Sequence, residues 1–372
     1  MKKRDSILTI IFLLIIFGFP LVSLGRDALN LAVPEDTSAQ QAVLEGNGTL
    51  ANKDEAEQEE QDNGVTEGEE EFSAMVRFRN SLSNFSSHLI GTPYFIDANS
   101  ELTYALSGGT YIESNSVILG DNNFLFYKAT TDGDPVSDYK GTNLFDDEEL
   151  VAIGNNLLNI RNELSSRGID FYVLAIPNKS QVYDRYMPVT IYRDSEYSRG
   201  MQLRDFITAN SDIEYIYPIN ELKELSQNQQ AYYFADTHET EIGAFTVYGQ
   251  FCERRYGFSQ PQSEAAYRIA LEGYTGDLGL ISNVKTLEEL DTIVAFYQTD
   301  EESYRKHERL LFIGDSFTGY LSNIAYYDFD AVKRVGADEF TMSLLDEFNP
   351  DVVIFESAER RIEVLGQNLL IQ

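Results

Sequence analysis

The stretch that decides the fold is LLFIGDSF at residues 310–317. Its four leading apolar residues predict a buried strand, and the Gly-Asp-Ser that follows predicts a sharp turn into a helix running to about Ala325. Ser316 would then lie at the carboxyl end of a strand, where open α/β sheets bind ligands and helix amino ends favour negative charge. The alternative is a serine that only caps the helix.

A second stretch, FADTHETEIGA at residues 234–244, carries the groups that a serine nucleophile needs. A serine hydroxyl is a weak nucleophile at neutral pH and depends on a histidine that a carboxylate holds in the correct tautomer. Asp236 and His238 could supply both from one short turn. The other two histidines, His88 and His307, lie among polar or charged residues and are expected to be structural or solvated. The alternative for Asp236 and His238 is a helix cap beside a surface histidine.

Composition narrows the range of functions. The chain has 372 residues and a formal net charge of −33, which argues against nucleic acid as a partner because phosphate backbones require a basic face. It has 23 tyrosines and no tryptophan, so any stacking on sugar rings would use tyrosine. Cys252 is the only cysteine, so no disulfide can form within the chain, and the thiol is expected in the core or on a helix face.

The amino-terminal region predicts a membrane anchor. Residues 1–5 include three basic residues, and the apolar run at residues 6–24 nearly spans a hydrocarbon core of about 30 Å as a helix. Basic residues stay in the cytoplasm, so we expect residues 1–26 to anchor the chain in the cell membrane as a single pass, with the rest outside the cytoplasm. A cleaved signal peptide is the alternative.

An acidic spacer is predicted after the anchor. Between Glu35 and Glu71, thirteen acidic residues stand against Lys53 alone, and large apolar side chains are few. Such a segment cannot bury enough apolar surface to offset the entropy cost of ordering it. We therefore expect residues 27–71 to be a disordered linker that leads to a folded domain at residues 72–372.

The folded region alternates strands and helices. An amphipathic helix is predicted at residues 72–89 and a β-hairpin at residues 111–127, turning at residues 120–123. Further strands are predicted at residues 171–176, 213–217, 291–297, 310–313, 331–335 and 351–355, with helices between them at residues 146–167, 200–209 and 338–348. This alternation predicts an α/β fold with a mostly parallel sheet flanked by helices.

Polar residues follow the strand at residues 171–176 on the rim where Ser316 is expected. Asn178 could donate to an oxyanion and Lys179 could contact a carboxylate, although an ordinary turn accounts for both equally well. The backbone N–H of Ser316 and the side chain of Tyr320 are further candidate oxyanion donors.

Several short motifs together carry a family resemblance. They are Gly-Asp-x-x-Phe-Leu-Phe at residues 120–126, Pro-Asn-Lys at 177–179, Asp-Thr-His at 236–238, Gly-Asp-Leu at 276–278, Gly-Asp-Ser at 314–316, and the strand at 351–356 with Glu359 and Arg360. In order and spacing, the chain resembles the alginate O-acetyltransferase family of the SGNH-hydrolase-like superfamily. The resemblance implies a Ser316-His238-Asp236 triad in which Asp-x-His precedes the serine, a permuted motif order.

The resemblance also implies a function. The expected activity is extracytoplasmic O-acetyl transfer to hydroxyl groups of a cell-surface or secreted polysaccharide, through an acyl-enzyme intermediate and without a cofactor or metal. A membrane-bound acyltransferase is the implied acetyl donor, and Arg360 is a further candidate for binding substrate. Many relatives have tryptophan after Asp-x-His, where this chain has Glu239, so the wall of the sugar groove is expected to differ.

Three alternatives to this function stay open. The same site could act as a carbohydrate O-acetylesterase, with water as the acceptor. Asp-x-His and Gly-Asp could instead be parts of a binuclear metallophosphoesterase, although that chemistry needs more histidines and carboxylates than these motifs contain. Finally, the domain could bind a glycan or a protein partner without catalysis.

Overall fold

The computed structural model describes residues 92–257, 265–298 and 306–371. The expected membrane anchor at residues 1–26, the acidic linker at residues 27–71 and the helix at residues 72–89 lie outside these ranges. Within them, every helix is too short or too polar to cross a bilayer.

The described elements alternate along the chain. The strands are β1 (Val117–Leu119), β2 (Leu125–Tyr127), β3 (Asp170–Ile176), β4 (Glu214–Ile216), β5 (Ala265–Tyr274), β6 (Asp291–Gln298), β7 (Lys306–Ile313), β8 (Phe329–Val335) and β9 (Val352–Ala358). The α-helices are α1 (Thr92–Leu106), α2 (Pro135–Lys140), α3 (Asp147–Ser166), α4 (Lys179–Val182), α5 (Arg199–Asn210), α6 (Ile219–Leu225), α7 (Glu241–Tyr256), α8 (Asp277–Ser282), α9 (Thr318–Ala325) and α10 (Met342–Phe348). Short 3₁₀ segments include Asp121–Asn123 and Glu359–Gly366.

Five of these strands form a parallel sheet in the order β4-β3-β9-β7-β8. The central strand β9 aligns Phe355 with Val173 on one side and with Ile313 on the other. All seven residues of β9 are buried, as expected for a parallel strand covered by helices on both faces. The prediction of a mostly parallel sheet flanked by helices is confirmed.

Helix α3 shows how sequence determines one of the covering helices. Asp146 accepts a hydrogen bond from Glu149 N, and the Glu149 side chain accepts one from Asp146 N, which closes a capping box at the amino end. The helix is followed by Gly168, whose φ of 75° suits glycine. Its buried residues recur at helical spacing and pack on the sheet: Leu150, Ile153, Leu157, Ile160 and Leu164.

The structure corrects two predicted elements. Strand β6 forms as predicted, but it pairs antiparallel with β5, a strand that the sequence analysis did not identify, and it lies outside the central sheet. The helix predicted at residues 338–348 begins only at α10, because Glu339 N and Phe340 N both donate to Gly336 O and form a separate turn. The predicted hairpin is confirmed by the antiparallel pairing of β1 with β2.

The carboxyl edge of the sheet gathers the motifs that the sequence analysis singled out. Since the strands are parallel, the segments that follow β3, β7 and β9 all leave from this edge, and they contain residues 177–179, 314–316 and 359–360. The segment before α7 is anchored to the same edge, because Tyr232 Oη donates to Pro177 O at 2.6 Å. This edge therefore positions both the serine and the histidine.

Candidate active site

Ser316 lies in a tight turn between β7 and α9. Asp315 organises the turn: its Oδ1 accepts from Phe317 N and its Oδ2 accepts from Ala358 N, both at 3.0 Å. One carboxylate thus closes the turn locally and ties it to the end of β9. The Ser316 side chain itself is exposed to solvent.

The loop that carries Asp236 and His238 is fixed from its amino side. The buried carboxylate of Asp291 accepts from Phe234 N at 2.6 Å and from Ala235 N at 2.7 Å. Ala235 O in turn accepts from Gly279 N at 2.8 Å. The main chain just before Asp236 therefore has its donors and acceptors paired with β6 and α8.

The Gly-Asp-Leu motif at residues 276–278 supports the same loop. A Cβ atom on Gly276 would lie 2.1 Å from Ala235 O, so only glycine allows this approach. The Asp277 carboxylate accepts from Thr237 N at 2.8 Å and from Thr237 Oγ1 at 2.6 Å. In the sequence this motif contributes only to the family resemblance, whereas in the structure it holds the loop that carries Asp236 and His238.

The structure brings Asp236, His238 and Ser316 together in one line. His238 Nδ1 lies 2.7 Å from Asp236 Oδ1, and His238 Nε2 lies 2.7 Å from Ser316 Oγ. Asp236 Oδ1 also accepts from His238 N at 2.9 Å. An alcohol and a carboxylate on opposite nitrogens of one imidazole are the arrangement that lets a histidine remove the alcohol proton.

The pKa values of Asp236 and His238 suit the removal of the Ser316 proton. Burial by itself raises the pKa of Asp236, but the hydrogen bonds and charge of His238 outweigh burial and lower this pKa to about 2. Burial by itself lowers the pKa of His238, but the hydrogen bond to Asp236 and its charge outweigh burial and raise this pKa above its ordinary value. Asp236 is therefore ionised at neutral pH, and His238 is a stronger base than an isolated histidine.

Asn178 and Lys179 are engaged by other groups of the protein. Asn178 Nδ2 donates to Asp138 Oδ2 at 2.9 Å, and Asn178 Oδ1 accepts from Arg360 N at 3.0 Å. The amide that the sequence analysis offered to an oxyanion is thus directed at a buried carboxylate. Lys179, which was expected to contact a carboxylate, donates instead to three backbone carbonyl oxygens, including Asp236 O at 3.1 Å.

Tyr320 lies beside His238, and Arg360 lies beside Phe317. Tyr320 is half-buried, and its ring centroid lies 5.7 Å from that of His238. The ring centroid of Phe317 lies 4.6 Å from that of His238. The Arg360 guanidinium lies 5.5 Å from the Phe317 ring and donates to Asp132 Oδ2 at 3.1 Å. Arg360 also lines a cleft together with Phe126, Tyr127, Pro135, Asn178, Lys179, Ser180, Thr237 and Leu278.

Two buried glutamates lie near the serine turn: Glu239, which replaces the tryptophan of many relatives in the motif comparison, and Glu356. Glu239 is fully buried, neither of its carboxylate oxygens has a hydrogen-bond partner among the described residues, and burial raises its pKa to about 8. Glu356 Oε2 accepts from Asp315 N at 3.0 Å, and burial raises the pKa of Glu356 well above its ordinary value. A Cβ atom on Gly314 would lie 2.4 Å from Glu356 Oε2, which accounts for glycine at the end of β7.

The site also contains groups that can bind a metal. Asp236, His238 and Asp277 each offer one ligand atom, and these atoms lie within 4.8 Å of one another. All four carboxylate oxygens of the two aspartates, however, already accept hydrogen bonds from the protein. In the parts of the chain that the structure describes, no second cluster of this kind exists to complete a binuclear centre. The donor set fits a hydrogen-bonded triad better than it fits a metal pair.

Known proteins provide a comparison for the fold. No protein-family model matches the chain, and no curated protein matches it. The O-acetyltransferase domain of Pseudomonas putida AlgJ is similar in structure, with 16% identity, 67% of this chain and 92% of that chain covered, and a TM-score of 0.46.

Two other solved structures are similar over nearly their whole length. Bacillus cereus PatB1 is 11% identical, with 69% of this chain and 100% of that chain covered and a TM-score of 0.48. A DHHW family protein from Eubacterium siraeum is 13% identical, with 68% of this chain and 99% of that chain covered and a TM-score of 0.46. At such identities the likeness is one of fold, and the chemistry of this chain follows from its own side chains.

Proposed function

We propose that this chain is a serine-dependent O-acetyltransferase with Ser316, His238 and Asp236 as its catalytic residues. One observation carries the proposal: His238 Nε2 lies 2.7 Å from Ser316 Oγ, while His238 Nδ1 lies 2.7 Å from Asp236 Oδ1. The depressed pKa of Asp236 and the raised pKa of His238 support it, because an ionised carboxylate at Nδ1 makes the imidazole a stronger base towards the Ser316 hydroxyl.

The first half of the reaction loads the enzyme. Ser316 Oγ attacks the carbonyl carbon of an acetyl ester while its proton passes to His238 Nε2. The tetrahedral intermediate then breaks the bond to the donor oxygen, and His238 returns the proton to that oxygen. The donor leaves as an alcohol, and Ser316 holds the acetyl group as an ester. Asp236 stays ionised and stabilises the imidazolium throughout.

The second half repeats these steps in reverse with an acceptor hydroxyl. His238 removes the acceptor proton, the acceptor oxygen attacks the acetyl-serine carbonyl, and Ser316 Oγ leaves with the proton that His238 returns. The acceptor in this proposal is a hydroxyl of a cell-surface or secreted polysaccharide, and the donor is a membrane-bound acyltransferase. The expected single-pass anchor in the cell membrane would place this domain on the outer side, next to both.

The backbone N–H of Ser316 is the proposed oxyanion donor. Its neighbours in the turn are used: Asp315 N donates to Glu356, Phe317 N to Asp315, and the N–H groups of residues 318 and 319 to turn carbonyls. Among the described residues, the N–H of Ser316 has no acceptor. It is therefore available to the negative oxygen of a tetrahedral intermediate, and Tyr320, whose ring lies 5.7 Å from that of His238, is the side chain proposed to assist it.

Carbohydrate O-acetylesterase activity is the second candidate, because the Ser316 side chain is exposed. Water can reach an exposed acyl-enzyme, and its attack would release acetate. The two functions share the first half of the reaction and differ only in which hydroxyl reaches the acetyl group.

Mass spectrometry tests the proposal. The full chain is incubated briefly with p-nitrophenyl acetate and digested, and the mass of the peptide that contains Ser316 is measured. We expect an acetyl group on Ser316 and its loss after an acetyl-accepting oligosaccharide is added, with the acetyl group recovered on the sugar. Ser316→Ala should abolish the adduct. Ser322→Ala, which removes a serine of the helix that follows the Ser316 turn, should retain it because Ser322 Oγ donates to Gly319 O. Equal turnover by Ser316→Ala and wild type would refute the assignment, and recovery as acetate alone would make the enzyme an esterase.

A further inference from the structure

Lys179 is a buried lysine whose ammonium group is surrounded by main-chain oxygens. Its Nζ donates to Leu125 O at 2.6 Å, to Phe234 O at 2.8 Å and to Asp236 O at 3.1 Å. An ammonium group has three N–H bonds, so this set of acceptors matches its full capacity. Lys179 is only 6% exposed, so these hydrogen bonds lie in the protein interior.

The three carbonyls belong to two segments that meet beside the triad. Leu125 is the first residue of β2, and its own N–H donates to Phe234 O at 2.9 Å. Phe234 and Asp236 lie on the loop that carries the acid and the base. The ammonium therefore holds this loop against β2, while the Asp291 carboxylate holds the same loop by accepting from the N–H groups of residues 234 and 235.

A cation at this position also balances the charges around it. Burial lowers the pKa of Lys179 to about 7, while the carboxylates of Asp291 on β6, Asp236 on the loop and Asp277 on α8 favour its charged form; Arg360 shares its cleft. The rings of Phe124 and Phe126 lie 5.2 and 5.5 Å from Nζ. A neutral side chain here would leave the carboxylates uncompensated and three carbonyls without their donor.

We propose that Lys179 is a positioning residue for the triad: its ammonium fixes the main chain at Asp236 and so aims the Asp236 carboxylate at His238 Nδ1. The expected effect of Lys179 on the reaction rate rests on the proposed function. The mechanism is direct, since the oxygen that Lys179 holds and the carboxylate that orients His238 belong to the same residue. Rotation of that peptide moves the carboxylate, and a misplacement of about 1 Å in a catalytic group can cost about 100-fold in rate.

The test compares Lys179→Met with Gln181→Met in the full chain. Gln181 lies on the same short helix, is equally buried, and donates to a backbone oxygen, Asp138 O at 2.8 Å, away from the triad. Both variants lose a buried polar contact, so both are expected to unfold at lower temperature. Only Lys179→Met is expected to lower kcat for p-nitrophenyl acetate, by about 100-fold per folded molecule, with little change in KM.

A second readout does not depend on activity. The chain has three histidines, so the ring signals of His238 can be assigned in NMR spectra by comparison with His238→Gln and followed against pH. Lys179→Met is expected to move the His238 pKa towards its ordinary value, because the contact with Asp236 loosens, whereas Gln181→Met should leave it in place. If wild type has no acyl-transfer or esterase activity, the proposed function fails and the NMR titration still decides the role of Lys179.

Two results would overturn the positioning role. The first is a Lys179→Met protein whose kcat and His238 titration both equal those of Gln181→Met. If Lys179→Met does not fold, Lys179→Arg replaces it: the guanidinium keeps the charge, but its planar fork cannot aim at three separate carbonyls. That variant is expected to lose about tenfold in kcat with a shifted His238 titration. The second result that would overturn the role is a Lys179→Arg protein whose kcat and His238 pKa both equal those of wild type.

Discussion

Tyr274 Oη lies 3.1 Å from Asp236 Oδ2, so the carboxylate that faces His238 is also held on its far oxygen by the last residue of β5. Asp277 N donates to the same oxygen at 3.1 Å. Asp236 thus receives hydrogen bonds on both oxygens, and its orientation towards His238 does not depend on the histidine alone. The antiparallel pair β5-β6, which lies outside the central sheet, contributes in this way to the candidate site.

Tyr274→Phe should therefore weaken the triad without dismantling it. The variant loses one donor to Asp236 Oδ2 but keeps the one from Asp277 N, and one hydrogen bond contributes about 0.5 to 1.5 kcal/mol. We expect kcat for p-nitrophenyl acetate to fall by about 2- to 10-fold, with the unfolding temperature nearly unchanged. A fall as large as that of Asp236→Asn would show that Tyr274 acts on the substrate and not through Asp236.

Asp236→Asn should abolish most of the activity while preserving the fold. An asparagine can keep contacts to its neighbours, but it offers no negative charge to the imidazolium and allows the wrong histidine tautomer. We expect kcat to fall by about 1,000- to 10,000-fold with KM little changed, as measured by steady-state hydrolysis of the activated ester. Activity within tenfold of wild type would contradict the role of Asp236 as the group that orients His238.

The pH dependence of kcat/KM should report the raised pKa of His238. Only the neutral imidazole can accept the Ser316 proton, so activity is absent at low pH and increases as the pH rises through the His238 pKa. Because the charge and hydrogen bond of Asp236 raise that pKa above its ordinary value of 6.5, the acid limb should lie above pH 6.5. Asp236→Asn should move the residual acid limb to lower pH, and an unmoved limb would mean that another group titrates.

Glu239→Gln should change how stability depends on pH. Burial raises the pKa of Glu239 from 4.5 to about 8, so between these values the folded chain holds a proton that the unfolded chain has released. In wild type, the contribution of Glu239 is fully present below pH 4.5 and declines as the pH rises towards 8. Glutamine cannot ionise, so the variant should lose this decline.

The measurement for Glu239 is urea unfolding of wild type and Glu239→Gln at pH 5, 7 and 9. We expect the variant to gain stability relative to wild type as the pH rises, by roughly a few kcal/mol between the two ends of the series. Glu214→Gln is the control, because it makes the same substitution at an exposed glutamate at the start of β4. A pH-independent difference between wild type and Glu239→Gln would mean that Glu239 is ionised in the folded chain.

Much of the sheet could be predicted from the sequence because its signals are local. An apolar run of four to seven residues that ends in Gly-Asp or Pro-Asn identifies β3 and β7 without any information on their neighbours. Ser316, His238 and Asp236 could be named for a similar reason, since few residues of the chain have the chemistry that a nucleophile and its base require.

Other parts of the site depend on contacts that no local pattern encodes. Tyr274 reaches Asp236 only because β5 pairs with β6, and β5 has no apolar run long enough to mark it as a strand. The carbonyl oxygens around Lys179 come from residues more than fifty positions away in the chain. Glu356 did leave a signal, since a single acidic residue within the strand sequence VVIFESA must be buried.

The strand order has a consequence for biogenesis. Strand β9 separates the pair β3-β4 from the pair β7-β8, so the sheet stays in two halves until β9 has been synthesised and inserted between them. Before that insertion, Ser316 belongs to one half, and the anchor point of the histidine loop at Pro177 belongs to the other. A nascent or truncated chain that lacks β9 would thus lack the assembled Ser316-His238 pair, and the proposed activity would arise only in the last step of folding.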